Sequence, residues 1–213
     1  METDPAVYQS LSADLAGRPG EIIDRYSRRI AVFSDPPGKL GIGEIRMKSK
    51  LWDFLDEAIA GGITTLYTGL SYGADSAAAE LFTLRKQENR NIRIVHIPVS
   101  RNWLSETDPA LKGFAVNTFR NQTDFTKLIE KTSRNESETA RDIFITYQCL
   151  HITLVMDLND PADDSYAWRI FEYAVRNRPG SISHQIHIIG INDEPKSQPL
   201  TEGQMEPVQG SLF

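Results

Sequence analysis

The chain has 213 residues, a formal net charge of -6 at pH 7 and a sequence pI of about 5.3. Hydrophobic residues make up 40% of it and charged residues 24%, which is typical of one globular domain with a sizeable core. A general binder of nucleic acid normally carries a basic face, because neutralising phosphates supplies most of its non-specific affinity. The acidic balance therefore argues against that role, and no nucleic-acid partner is expected.

The composition also limits the redox chemistry and the compartment. Cys149 is the only cysteine, which excludes an intrachain disulfide, and we expect a buried structural thiol there because a strand-like run follows it. No run of about 18 apolar residues occurs, so no membrane span is expected. The N-terminal METDPAVYQS is acidic and lacks the layout of a signal peptide, which favours a cytoplasmic protein.

Three segments are predicted along the chain. Residues 1–27 carry prolines and glycines and predict a leader with one or two short helical turns. Residues 28–193 predict the folded domain. Residues 194–213 are polar and contain prolines, which predicts a flexible C-terminal tail.

Within the domain, strand and helix patterns alternate. The predicted strands are RRIAVFSD from Arg28, ITTLYTG from Ile63, IRIVHIPV from Ile92, HITLVMDLND from His151 and SHQIHIIGIN from Ser183. The predicted helices begin at Lys48, at Ala74, at Phe125, at Ser137 (with that serine as a cap) and at Ser165. Continuous apolar strands are buried on both faces. The sequence therefore predicts an α/β fold, a Rossmann-like open parallel sheet of about five strands with helices on both faces.

Polar residues and glycines follow three of the predicted strands, over residues 34–39, 68–75 and 157–166. In an open parallel sheet, ligands bind at the carboxyl ends of the strands, near the topological switch point. In the second loop, Gly69 and Gly73 would let the main chain approach a phosphate closely at a helix N-terminus. A plain strand-to-helix turn, with Asp75 as a cap, is the other interpretation. Neither GxGxxG nor GxxxxGK[ST] is present.

The stretches IAVFSD, LYTGLSYGADSAAAE, IRIVHIPV and HITLVMDLND…SYAWRIFEYA resemble the SLOG superfamily in their order and spacing, from about Arg29 to Asn192. This Rossmann-like group includes the DNA-processing protein A family, the lonely-guy enzymes and the ligand-sensing domains of bacterial conflict systems. The most specific piece, GLSYGADSAAAE, is similar to the signature G-x-(A/S)-x-G-x-D-x-x-A-A-E.

The resemblance implies a nucleotide or nucleotide-derived ligand over the first two strand ends. The residues at the corresponding positions are Ser34, Asp35, Gly69, Ser71, Gly73, Asp75, Glu80, Ser165 and Tyr166. The phosphoribohydrolase branch carries PGGxGTxxE, but the corresponding segment here is NDPADDSYAWRIFE, which lacks the glycines, and Glu172 lies further along the helix. The resemblance therefore favours the sensing branch over hydrolysis.

Other candidates for the site have two interpretations each. Tyr72 and Tyr166 could cover or stack on the ligand, or could pack at the sheet edge. Arg101 and Arg120 offer guanidinium groups that suit phosphate, although a solvated loop arginine is the commoner case. Glu80 is the candidate catalytic carboxylate, and a satisfied polar group is its other interpretation.

The sequence assigns no metal and no cofactor. His184 and His187 lie three apart on a predicted strand and so face opposite sides, and His96 is expected to be packed inside its strand. Trp52, Trp168 and Tyr173 could form a subunit contact or belong to the core.

Three functions remain open on the sequence alone. The first is a sensor of a nucleotide-derived, possibly cyclic, second messenger in a prokaryotic defence or stress system, working as a homo-oligomer. The second is an enzyme that hydrolyses a nucleotide N-glycosidic bond, and the third is a DNA-binding scaffold. The acidic balance counts against the third, and the missing PGGxGT segment counts against the second.

Overall fold

A computed structural model of the chain describes residues 26–36, 44–71, 73–106, 122–157, 165–176 and 184–190. The strands among these residues form one sheet, in which all strands are parallel and the order is β4-β3-β2-β1-β5-β6. The strands are β1 (Arg29–Ser34), β2 (Thr65–Thr68), β3 (Arg93–His96), β4 (Phe125–Thr126), β5 (His151–Met156) and β6 (Gln185–Gly190). The predicted α/β fold is therefore confirmed, with six strands where about five were expected.

The additional strand lies where the sequence predicts a helix, so the helix prediction from Phe125 is wrong. Phe125 and Thr126 pair with Val95 and His96 of β3. Beyond the strand, the Lys127 N–H donates to the carbonyl of His96 at 3.0 Å. The apolar spacing of this segment is helical, but main-chain pairing with the free edge of β3 satisfies its N–H and C=O groups and decides the conformation.

Five helices connect the strands of the described chain. They are α1 (Glu44–Ala60), α2 (Ala74–Glu88), α3 (Trp103–Glu106), α4 (Arg134–Gln148) and α5 (Tyr166–Arg176). Helix α2 begins at the predicted Ala74, and α1 begins four residues before the predicted Lys48. Helix α1 ends at Ala60, just before Gly61 and Gly62, and Gly62 has a φ of 109°, a conformation that favours glycine. No described helix has both the length and the apolar character needed to cross a membrane.

The sheet separates two apolar clusters because successive residues of a strand face opposite sides. On β1, Ile30 and Val32 pack with α1 and α2, whereas Ala31 and Phe33 pack with α4 and α5. The alanines of α2 lie in the first cluster and are 0–6% exposed. Their small side chains let α2 lie close to the sheet. Packing alone therefore explains the alanine-rich second half of the GLSYGADSAAAE sequence. Cys149 is buried in the second cluster, as predicted, and burial raises the pKa of its thiol.

Helix α4 begins at Arg134, so the predicted cap at Ser137 is wrong and the cap is Ser133. The Glu136 N–H donates to Ser133 Oγ at 3.2 Å, and the Ser133 N–H donates to Glu136 Oε2 at 3.1 Å, which completes a capping box. Ser137 is buried in the first turn, where its Oγ accepts from the Lys131 N–H at 2.8 Å. The sequence contains two serines, Ser133 and Ser137, near the start of this helix, and in the structure Ser133 is the cap.

The Ser133→Ala variant should lower the free energy of unfolding by about 1 kcal/mol, because the Glu136 N–H loses its acceptor. Urea denaturation followed by circular dichroism measures the change. Ser49→Ala, on the exposed face of α1, is the matched control and should stay within about 0.5 kcal/mol of the wild type. Equal stability of the two variants would contradict the capping role of Ser133.

Candidate ligand site at the carboxyl edge of the sheet

The strand order creates a switch point beside β1. The chain leaves β1 toward β2 on one side, and β5 pairs with β1 on the other side. The carboxyl ends of β1 and β5 therefore lie beside the switch point, which is where open parallel sheets bind their ligands. The starts of α2 and α5 face the same edge, so the described polar residues that end β1, follow β2 and begin α5 meet there.

Asp35 joins the end of β1 to the start of α5. Its carboxylate accepts from Ser165 Oγ at 2.7 Å, from the Tyr166 N–H at 2.6 Å and from the Ala167 N–H at 3.2 Å. Asp35 is 5% exposed, so its carboxylate serves as an N-terminal cap of α5 that is supplied from another strand.

The loop after β2 is held by Asp75, which comes from the first turn of α2. Its Oδ1 accepts from Thr68 Oγ1 at 2.5 Å, and its Oδ2 accepts from the Ser71 N–H at 2.8 Å. Thr68 Oγ1 in turn accepts from the Leu70 N–H at 2.8 Å. Asp75 therefore shapes the loop from inside, and its two carboxylate oxygens are engaged by protein donors.

Two residues of this loop have main-chain conformations that are uncommon in proteins. Leu70 has a φ of 53°, and Gly73, the N-cap of α2, has a φ of 109° and a ψ of -134°, which is a region open essentially to glycine alone. Gly73 brings no side chain to the helix terminus, and the Ala74 N–H donates to Ser34 Oγ at 3.2 Å. The start of α2 is thereby fixed beside the end of β1.

A buried ion pair from α4 lies behind the β2 loop. Arg141 Nε donates to Asp142 Oδ1 at 2.8 Å, and the two side chains are 9% and 5% exposed. A Cβ atom placed on Gly69 would lie 2.7 Å from Cζ, Nε and Nη1 of Arg141, so the guanidinium occupies the space that any other residue at this position would need. A side chain at position 69 would therefore require the Arg141 guanidinium to move.

The guanidinium uses only part of its donor capacity. Among the residues that the structure describes, Nη1 and Nη2 of Arg141 have no hydrogen-bond acceptor, and Nε is the nitrogen bonded to Asp142. The second carboxylate oxygen of Asp142 accepts from the hydroxyl of Tyr166. Burial opposes the charge of the guanidinium, but the neighbouring acids, Asp142 above all, hold the pKa of Arg141 above its ordinary value.

Burial and nearby charges both shift the pKa values of the groups around Arg141. Burial raises the pKa of Asp75 to about 6, against the hydrogen bonds from Thr68 and Ser71, which lower it. Burial also raises the pKa of Asp142, although Arg141 lowers it. His96, at the end of β3, has its pKa lowered to about 3 by burial and by the charge of Arg141. His96 is therefore neutral in the folded protein at neutral pH.

The structure brings together eight of the predicted site residues. They are Ser34, Asp35, Gly69, Ser71, Gly73, Asp75, Ser165 and Tyr166. Two others lie apart from this cluster. Glu80 Oε2 is 2.7 Å from Nζ of Lys48 on α1, and the Arg101 side chain is 82% exposed with Glu130 at 3.9 Å. Tyr72 and Arg120 lie outside the described residues.

Sequence reasoning missed Arg141 and Asp142. A signal for the ion pair was present, because Ser137, Arg141, Phe144, Ile145 and Gln148 form one helical face and all are buried. A charged residue in the middle of a buried helical face requires a partner, and Asp142 is its direct neighbour in the sequence.

The histidines outside this cluster stay in structural roles. His151 and His187 stack with an interplanar angle of 8°, and His184 Nδ1 lies 3.1 Å from the carbonyl oxygen of Cys149. Across the described ranges, no group of three or more histidine, cysteine or acidic side chains is arranged to hold a metal ion.

Comparison with known proteins adds no identification. No protein-family model matches the sequence, and no curated protein matches it significantly.

Proposed function

We propose that the chain binds a nucleotide or a nucleotide-derived ligand, including cyclic forms, over the ends of β1 and β2. Arg141 carries the proposal. Its guanidinium is nine-tenths buried, packs on Gly69 at this edge, and leaves Nη1 and Nη2 without acceptors among the described residues. An anionic oxygen, such as one from a phosphate, would accept charge-assisted hydrogen bonds from these nitrogens, and such bonds are stronger than those between neutral groups.

The surroundings of Arg141 support the same class of ligand. The start of α2 presents the positive end of a helix dipole, and its cap, Gly73, adds no side chain there. The bonds to Asp75 hold Thr68 and Ser71 of the β2 loop beside the start of α2, and Leu70 between them has a φ of 53°. The similarity of GLSYGADSAAAE to the SLOG signature also favours a nucleotide-derived ligand.

We infer a sensor rather than an N-glycosidase, with a role in a prokaryotic defence or stress system. The PGGxGTxxE segment of the hydrolytic relatives is missing, and the candidate Glu80 is engaged by Lys48 at 2.7 Å. A sensor needs an output, and a homo-oligomer supplies one if the ligand binds its assembly states with different affinity. The rings of Trp168 and Phe171 stack 4.9 Å apart on α5 and pack against the second apolar cluster, and the faces that they leave partly exposed are the proposed subunit contact.

A thermal-shift screen tests the proposed function. The probes are mononucleotides, dinucleotide cofactors and cyclic oligonucleotides, with the corresponding nucleosides as controls that lack phosphate. A ligand at about 100 times its Kd should stabilise the fold by about 2.7 kcal/mol. Stabilisation without turnover supports the sensor, whereas release of free base supports the hydrolase. If no phosphate-bearing probe stabilises the protein, the proposal is wrong.

Light scattering with and without the hit tests the proposed homo-oligomer. A monomer of 24.0 kDa in both conditions would exclude it.

Gly73→Val should abolish binding of the hit. A β-branched side chain resists a φ of 109° and would block the approach of the ligand to the start of α2. Gly62→Val is the matched control, because Gly62 has the same φ but ends α1. Both variants should lose about 1–3 kcal/mol of stability, and only Gly73→Val should lose binding by calorimetry. Wild-type affinity in a folded Gly73→Val protein would remove the β2 loop from the site.

A further inference from the structure

Tyr166 connects the two halves of the site through hydrogen bonds at both of its ends. Its main-chain N–H donates to Asp35 Oδ1 at 2.6 Å, and its hydroxyl donates to Asp142 Oδ2. Its ring also packs against Phe33 of β1, with the centroids 6.4 Å apart. The side chain therefore runs from the cap of α5 to the carboxylate that pairs with Arg141.

Asp142 is shared between the tyrosine and the arginine. One carboxylate oxygen accepts from Arg141 Nε at 2.8 Å and the other accepts from the Tyr166 hydroxyl. The carboxylate is 5% exposed, so a rotation that broke either bond would leave a buried charge unsatisfied. Because a guanidinium is planar, the direction of its Nε–H bond determines where Nη1 and Nη2 point.

We propose that Tyr166 is a positioning residue, whose hydroxyl orients Asp142 and through it holds Nη1 and Nη2 of Arg141 toward the ligand beside Gly69. This inference rests on the proposed function. It assigns Tyr166 a role different from the direct contact with the ligand that its sequence position implies. Burial and the charge of Asp142 raise the pKa of Tyr166 above its ordinary value, so the phenol stays a hydrogen-bond donor.

Tyr166→Phe tests this role, because it removes the hydroxyl and keeps the ring. The matched control is Tyr173→Phe, on the same helix, whose hydroxyl lies 3.4 Å from that of Tyr147. The first measurement needs no ligand: it is the rate of proton exchange at Arg141 Nε–H, followed by nuclear magnetic resonance. In Tyr166→Phe this rate should rise about tenfold, because Asp142 gains rotational freedom, and in Tyr173→Phe it should not change.

The second measurement is the affinity for inorganic pyrophosphate by calorimetry. We expect it to fall about tenfold in Tyr166→Phe, to stay unchanged in Tyr173→Phe, and to show no further loss when Tyr166→Phe is added to Arg141→Lys. Arg141→Lys keeps a cation for Asp142 but lacks the second nitrogen for the ligand.

The outcomes separate the two proposals. If the wild type does not bind pyrophosphate or any hit of the screen, the proposed function fails and the positioning role fails with it. If pyrophosphate binds equally well to the wild type and to Tyr166→Phe, the positioning role fails while the proposed function stands. Unchanged exchange at Arg141 Nε–H in Tyr166→Phe also overturns the positioning role. Faster exchange together with weaker, non-additive binding supports it.

Discussion

Replacing Arg141 with Met is expected to lower the free energy of unfolding by about 3–5 kcal/mol, because the variant leaves Asp142 buried without its cation. Asp142 is 3% exposed, and Arg141 is the basic side chain bonded to it in the described structure. Burial already raises the pKa of Asp142, so loss of the guanidinium raises it further. The carboxyl group should then take up a proton in the folded variant. Chemical denaturation at neutral pH measures the loss of stability.

The companion variant is Arg141→Met combined with Asp142→Asn. It removes both charges, and the amide oxygen still accepts from the Tyr166 hydroxyl. The double variant should therefore be more stable than Arg141→Met alone, with a coupling energy on the order of 1–3 kcal/mol. Strictly additive losses would show that the two charges do not stabilise each other in the folded chain.

Asp75 should make the protein less stable as the pH rises. Burial raises the pKa of its carboxyl from 3.8 to about 6 in the folded state. Between these two values the folded state holds this proton while the unfolded state releases it, so the free energy of unfolding falls as the pH rises. Above about pH 6 the loss from this one group is complete, and it is on the order of 3 kcal/mol.

Asp75→Asn removes this titration and keeps an oxygen that accepts from the Ser71 N–H. The variant and the wild type should have similar stability near pH 4, and the variant should be the more stable one near pH 7. Urea denaturation at several pH values gives the difference between them. A difference that does not change with pH would contradict the raised pKa of Asp75.

Asp56→Asn is the control with the opposite sign. The hydrogen bond from Arg85 lowers the pKa of Asp56, so the wild type gains stability from this group as the pH rises and loses it as the pH falls. The variant should therefore lose more stability, relative to the wild type, at pH 7 than in acid. Opposite trends for Asp56→Asn and Asp75→Asn would separate a paired surface carboxylate from a buried one.

The sequence alone was sufficient for the fold class. Continuous apolar runs such as the one around Ile30 and Val32 predict strands buried on both faces, and this requires helices on both sides of a parallel sheet. The alanine-rich run from Ala74 predicts a helix, and α2 begins at that residue. These features are local, since periodicity and side-chain size act within a few residues of each other.

Only the tertiary structure decided how the residues of the candidate site are connected. Asp35 caps a helix that begins 131 positions later, and Arg141 packs on Gly69 of a different element. The short strand at Phe125 likewise depends on the free edge of β3 and not on its own sequence pattern. Such contacts depend on which elements the chain crossings place side by side. Buried charges and main-chain groups at these contacts need partners because their removal from water costs free energy. No local sequence pattern identifies those partners.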